Sequence, residues 1–452
     1  MNKRSITLIF LFMILFKNIL AQNNFELIEY FEAVKIISSN NYNLSDTPVV
    51  AIVDKGINLE HEDLSNNIWT NKQEIPENGI DDDKNGFIDD IHGWNFDNNT
   101  SDVSIGGIGN WHGTPVNGIV GAVYGNNLGV KGICPGIKLM NIVKGESVES
   151  IISSLQYIYS MRKTYNQTKG QKGAYIVAVN CSWGKDSLWA ADYPEWCALY
   201  DSLGTVGVLC VNSVPNDNID IDVYGDMPST CNSEYLITVT NSTQYDTKIY
   251  DAAFGQNSVD IAAPGDNTYT ALNTGAYGYF GGTSAAAPYV TGAIGLMHLL
   301  PSDNFQQLIA NDPTNIASII KKALIDGADK VVEFQNITVS GGRLNIYNSM
   351  KWLCNYFGEE HLYSSIFENL KICKVYPNPA TTQLYLQIES NEQSNGVINI
   401  TDLKGGIVFS QDILIYRGIN SVEINFSGIK QGMYIICLTS QQENRYEKIV
   451  IQ

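Results

Sequence analysis

Residues 49–64 read VVAIVDKGINLEHEDL, an unbroken apolar run that ends in Asp54, Lys55 and Gly56. Apolar side chains at every position, rather than every second one, describe a strand covered on both faces, as in a parallel sheet with helices on each side. Asp54 closes that strand, and the carboxyl ends of strands in an open parallel sheet are where ligands and reacting groups gather. An aspartate just before a glycine also suits a turn, so Asp54 alone decides nothing. Outward from this run, KLMNIV (138–143), AYIVAVNCS (174–182), VGVLCV (206–211) and YLITVT (235–240) repeat its texture, and an amphipathic segment over 148–165 separates the second run from the third. Strands alternating with helical stretches predict an α/β fold, a parallel sheet flanked by helices. From Ser284 to about Gly327 the pattern is helical, interrupted by Pro301 and Pro313.

At 452 residues and 44% hydrophobic side chains the chain holds more than one domain and can bury a core. Its 28 basic and 47 acidic residues leave a charge of −19, which argues against nucleic acid or an anionic membrane surface as its main partner. Met1-Asn2-Lys3-Arg4, the apolar run ITLIFLFMILF and the small Ala21 form the three parts of an export signal, so residues 1–21 are expected to be removed and the mature chain to be secreted. No later run is long enough to predict a transmembrane segment. Export permits disulfides; among eight cysteines, Cys197 and Cys231 stand in loop-like surroundings and are the candidates for a bridge, whereas Cys181 and Cys210 sit in strand-like runs as buried thiols. From about residue 373 five short alternating segments joined by Gly, Asn and Ser turns predict a small antiparallel β-sandwich, with 351–372 as its linker and 22–45 as an N-terminal segment.

GGTSAAAP (281–288) sets Ser284 at a helix start, where a serine is either a cap for free backbone N–H groups or a nucleophile aimed into a cleft. HGTPVNG (112–118) sets His112 before a stretch of small residues that permits close helix packing. Each motif is weak alone. Together, IVDKG, HGTPVNG and GGTSAAAP resemble the three signature blocks of the subtilisin-like serine peptidases, in that family's order. The resemblance covers about residues 46–350 and implies a catalytic triad of Asp54, His112 and Ser284.

It implies further roles. AVNCSWG (178–184) resembles the extended strand that pairs with bound peptide, so Cys181, Ser182, Trp183 and Gly184 are expected to hold substrate and wall the pocket for the residue before the cut. GVLCVNSVPNDN (207–218) resembles the strand ending in the oxyanion-hole asparagine, which falls on Asn216. The chain departs from the pattern at Lys55, Pro115 and Pro215, the last restricting how the backbone presents Asn216. No cofactor is implied for catalysis. The spacing Asp81-x-Asp83-x-Asn85-Gly86-x-x-Asp89 matches a calcium loop, with His92 where the bidentate Glu belongs. By resemblance, Asp63 and Asn126 fall near positions that bind structural calcium. VYPNPATTQLYL, GMYIICL and the terminal KIVIQ resemble a type IX secretion sorting domain, which implies passage through the periplasm, that secretion machinery as partner, and release or display at the cell surface. The expected function is a secreted serine endopeptidase acting on protein or peptide substrates. The rivals are a catalytically inactive binding protein on the same fold and a processing enzyme dedicated to one partner.

Overall fold

The computed structural model describes residues 24–38, 46–104, 111–364, 370–390, 393–402, 406–426, 428–440 and 443–452. The expected export signal, 1–21, lies outside them. The chain divides after Glu360 into two compact units.

In the first unit, β1 (Val49–Asp54), β2 (Gly93–Asn95), β3 (Lys138–Val143), β4 (Ile176–Cys181), β5 (Leu209–Ser213), β6 (Leu236–Ser242) and β7 (Ile261–Pro264) are parallel. Two short strands, β10 (Asp329–Lys330) and β11 (Gly342–Arg343), complete a sheet ordered β10-β11-β7-β6-β5-β4-β1-β3-β2. Between them in the chain, β8 (Thr268–Ala271) and β9 (Tyr277–Phe280) form a separate hairpin. Every residue of β1, β4, β5, β6 and β7 is buried, as the uninterrupted apolar runs require. β1 lies between β3 and β4, so the chain leaves it in one direction and returns on its other side. That reversal opens a crevice at the carboxyl end of β1, where Asp54 stands.

The longer helices among the described residues are α1 (Tyr30–Ser38), α2 (Gly113–Gly121), α3 (Val148–Thr168), α4 (Pro194–Thr205), α5 (Thr283–Met297), α6 (Asp303–Asn311), α7 (Pro313–Gly327) and α8 (Ile346–Phe357). α5 is buried along its whole length, and its alanines and glycines let it run close beneath the sheet. The two prolines read as breaks fall where expected: Pro301 between α5 and α6, and Pro313 at the first position of α7, where its missing N–H costs nothing.

The bounds expected for the linker need correcting. Residues 351–357 are not linker: α8 carries an apolar stripe of Ile346, Tyr347, Met350, Leu353 and Cys354, and the helix continues until that stripe ends and Gly358 caps it in the left-handed region. The other end of the expected linker is also structured, since the next unit's first strand starts at Leu370. Residues 24–38 of the N-terminal segment are tied to the first unit, with Ile346 N donating to Ile28 O (2.9 Å) and Arg343 Nη1 to Leu27 O (2.6 Å). Cys197 and Cys231 are bridged, joining α4 to the loop after Met227; Cys181 and Cys210 are free and buried.

The second unit contains β12 (Leu370–Tyr376), β13 (Gln383–Ser390), β14 (Ser394–Thr401), β15 (Ile407–Ile415), β16 (Gly418–Asn425), β17 (Gly432–Ser440) and β18 (Glu443–Ile451). They form two antiparallel sheets, β12-β13-β16 and β15-β14-β17-β18. Leu384, Leu386 and Ile388 from one sheet share a core with Ile398, Ile400, Ile436 and Leu438 from the other. Burial alternates strictly along β13 and β14, the period-two signature from which the sandwich was expected. Seven strands replace five segments because two of those segments fold back on themselves, one of them through the turn closed by Asp402 N to Gly406 O (2.9 Å).

Candidate active site

Asp54 is the last residue of β1 and is buried. His112 sits at the amino end of α2, and its Nδ1 lies 2.9 and 3.0 Å from the two carboxylate oxygens of Asp54. The glycine after it is obligatory. A Cβ on Gly113 would lie 2.1 Å from the carbonyl oxygen of Gly56, so only glycine lets α2 approach β1 closely enough to set the imidazole on the carboxylate. Phe280 packs edge-on against the His112 ring at 5.3 Å and Trp111 flanks it at 5.5 Å. Burial opposes the imidazolium, but the charge and hydrogen bond of Asp54 outweigh it, and the pKa of His112 stands above its ordinary value.

Ser284 is the second residue of α5. Its Oγ donates to the carbonyl of Ser182, 3.2 Å away, rather than to His112. A second bond runs the other way, from Ser182 Oγ to the carbonyl of Ser284 (2.9 Å). This bond has a cause in the sequence. Pro288 lies four residues on, inside α5, and lacks the N–H that would serve the Ser284 carbonyl in a regular helix. The Ser182 hydroxyl replaces it. Ser182 Oγ is itself held by Asn180 Nδ2 (2.9 Å), and Asn180 Oδ1 accepts from Thr291 Oγ1 (2.8 Å) further along α5. A buried polar chain thus locks the start of α5 to the end of β4. Of the other residues expected in the substrate strand, Cys181 ends β4, Trp183 donates Nε1 to Val53 O (2.6 Å) beneath Asp54, and Gly184 is exposed.

Asn216 is exposed at the end of the loop that follows β5. Its Oδ1 accepts from the backbone N (2.9 Å) and the hydroxyl (3.1 Å) of Thr283, which leaves the Nδ2 hydrogens as its donors beside Ser284. Pro215 therefore does not keep Asn216 from the helix start; its carbonyl instead accepts from Ala253 N (3.0 Å). The other departures have local reasons as well. Pro115 is the third residue of α2, where a helix needs no N–H donor, and Lys55 pairs with Glu146. Glu146 also lies 3.7 Å from Lys144, a buried amine set over the Trp183 ring, whose pKa is lowered by burial and by Lys55.

The expected calcium residues do not all converge. Asp81 accepts from Asn85 N (3.1 Å) and Gly86 N (2.8 Å), while Asp89 turns away to the backbone of Asn78 (3.2 Å) and Gly79 (3.0 Å). The acidic oxygens that do come together, all within 4.8 Å, belong to Glu74, Asp83 and Asp90. Asn85 Nδ2 reaches Asp90 Oδ2 at 2.8 Å, and burial pushes the Asp90 carboxyl up to about 7. Glu74 and Asp90 were not read from the sequence, because the loop spacing selects Asp89 and passes over its neighbour. Asp63 and Asn126 are brought together: Asn126 Nδ2 donates to Asp63 Oδ1 (2.5 Å), and Val130 N to Asp63 Oδ2 (2.8 Å).

Comparison with known proteins follows the same two units. Residues 45–339 match the model of the subtilase family, and residues 374–452 that of a secretion system C-terminal sorting domain. Subtilisin-like protease 1 of Plasmodium berghei (strain Anka) is 27% identical over 352 residues, 71% of this chain and 52% of that protein. The chain thus spans about half the length of that relative, and 38% of subtilisin-like protease 1 of Plasmodium falciparum (isolate 3D7). Thermitase of Thermoactinomyces vulgaris is 25% identical over 313 residues, 67% of this chain and 88% of thermitase. Among solved structures, one from a study of subtilase cytotoxin assembly superimposes with a TM-score of 0.54 at 21% identity, covering 74% of this chain and 97% of its own. The epidermin leader peptide processing serine protease of Staphylococcus aureus does so with a TM-score of 0.50 at 21% identity, covering 69% and 76%. These likenesses bear out the expected fold.

Proposed function

The chain belongs to the subtilase family, and from that premise we propose that it is a secreted serine endopeptidase using Asp54, His112 and Ser284. The observation that carries the reading is the grip of both Asp54 oxygens on His112 Nδ1, which fixes the tautomer that leaves Nε2 free to accept a proton. Ser284 Oγ leaves the Ser182 carbonyl, gives its proton to Nε2 and attacks the substrate carbonyl carbon. The carbonyl π pair becomes an oxyanion that accepts from Asn216 Nδ2 and from the Ser284 N–H, which lies in the first turn of α5 with no partner inside the helix. Collapse of this intermediate breaks the C–N bond as His112 returns the proton to the departing amine. A water then repeats the sequence on the acyl-enzyme and restores Ser284. Lys144 and Lys55 oppose protonation of His112, as burial does, without outweighing Asp54.

Residues 1–21 act in this reading as the export signal, 46–350 as the catalytic region and 373–452 as the sorting domain that addresses the chain to type IX secretion machinery for release or surface display. Calcium is a structural ion here and takes no part in catalysis. Glu74, Asp83 and Asp90 suit it as hard oxygen donors. The test is digestion of an unfolded protein by the purified full chain beside its Ser284→Ala variant. Cleavage by the parent alone supports the proposal; equal absence of cleavage supports the inactive binding protein.

A further inference from the structure

Asp226 is buried without an ion-pair partner among the described residues, and it lies behind the substrate strand rather than in the triad. It is completely inaccessible to solvent. Its Oδ2 accepts from Ser229 Oγ, and its Oδ1 has no partner among the described residues. On the other side of Ser229 stands Asn212, equally buried, which donates Nδ2 to Ser229 Oγ (3.3 Å) and leaves its own Oδ1 unpartnered. One serine therefore joins two buried side chains, each presenting an acceptor with nothing to accept. Buried polar groups are almost always paired, and an orphaned carboxylate oxygen is among the most unfavourable to leave.

The position of this group points to the ligand. Asp226 and Met227 pair with Asp186 and Lys185, the residues that directly follow Gly184. A Cβ on Gly184 would lie 2.9 Å from Asp226 Oδ1. Gly184 is exposed, so the unpartnered oxygen stands immediately behind an exposed backbone position. Two residues earlier on this strand, Ser182 is bonded to Ser284 in both directions. The oxygen thus lies against the segment that, two residues earlier, is bonded to the nucleophile.

We propose that Asp226, supported by Ser229 and Asn212, selects a positively charged side chain, lysine or arginine, at the substrate position just before the cleaved bond. The inference rests on the peptidase reading and names its substrate class. An ammonium carries three donors and a guanidinium five, all without acceptors, which complements the two unpartnered acceptor oxygens of Asp226 and Asn212. Burial pushes the Asp226 carboxyl up to about 8, with Asp186 adding in the same direction, so near neutral pH the group is mostly protonated when empty and a cation bound beside it would draw it into the charged form. A neutral side chain would leave the carboxyl orphaned, and such sites discriminate through that penalty as much as through attraction.

The experiment uses the purified full chain and a series of fluorogenic peptide amides that differ only in the residue before the bond: Lys, Arg, Phe, Leu or Glu. The Lys and Arg members are expected to show kcat/KM about 100-fold above Phe and Leu. Asp226→Asn should shrink that ratio about 100-fold, and Asp226→Glu should restore part of it. A parent that prefers neutral residues, or an Asp226→Asn variant with an unchanged ratio, overturns the proposal. A second arm needs no variant: benzamidine should slow labelling of Ser284 by a fluorophosphonate, and neutral benzamide should not. Labelling that both compounds leave untouched refutes the cation site alone. No labelling of the parent at all refutes the peptidase reading, and the proposal with it.

Discussion

Replacing Ser182 by alanine removes one hydroxyl yet orphans two buried groups, the carbonyl of Ser284 and the Nδ2 of Asn180. Neither has an obvious substitute, because Pro288 has no N–H to offer and Asn180 is fully buried. At about 1–3 kcal/mol for each unsatisfied buried group, the variant should lose about 2–6 kcal/mol of stability. The argument can be separated from general damage to the core. Changing Pro288 to alanine restores an N–H four residues beyond Ser284, so in that background Ser182→Ala should orphan only Asn180 and cost about 1–2 kcal/mol less. The double-mutant cycle of Ser182→Ala and Pro288→Ala therefore predicts a coupling of that size. It is best measured by urea unfolding in a Ser284→Ala background, which leaves the backbone carbonyl in place and prevents self-digestion. Additive losses, with no coupling, would show that the Ser182 hydroxyl does not stand in for the missing N–H of Pro288.

Other expectations can be tested on the same protein. Asp54→Asn should lower kcat by about 10⁴ by losing the fixed tautomer, and because Asp54 is what holds the His112 pKa up, the acid limb of the activity profile should move to lower pH. For stability the sign is opposite to that for activity: the charged His112–Asp54 pair contributes fully below the ordinary imidazole pKa and is lost as pH rises through the raised folded value, which calorimetry across that range would record. Asn216→Leu should cost about 10²–10³ in kcat with little change in KM, the mark of a donor used only in the transition state. Chelation of calcium should lower the melting temperature of the parent more than that of a Glu74→Gln/Asp83→Asn variant. Replacing Cys197 and Cys231 with serine frees a loop with a sequence separation of 34 residues and should lower stability by about 4 kcal/mol.

The parts of this protein legible in sequence are those where one physical cause acts alone. Burial on both faces left apolar runs at 49–54 and 138–143 that coincide with β1 and β3, and prolines marked the helix breaks. β2 escaped notice because three residues carry no periodicity. Of the candidate site, the sequence offers the residues proposed for it, since Asp54, His112, Ser284 and Asn216 each stand in a short motif. Its support was not. The Ser182 hydroxyl matters because of a proline 106 positions away in the chain, and Asp226 matters because of the orphaned oxygens around Ser229, contacts that only the fold creates. The calcium loop shows the reverse error, in which spacing alone selected Asp89 although its carboxylate is occupied by two backbone amides.

The most direct test of the account is reaction of the purified, folded chain with a fluorophosphonate, followed by mass mapping of the adduct. The account predicts one adduct, on Ser284, absent from Ser284→Ala and strongly reduced in a variant lacking the His112 imidazole. A folded parent that takes no label, or takes it on another residue, would contradict it.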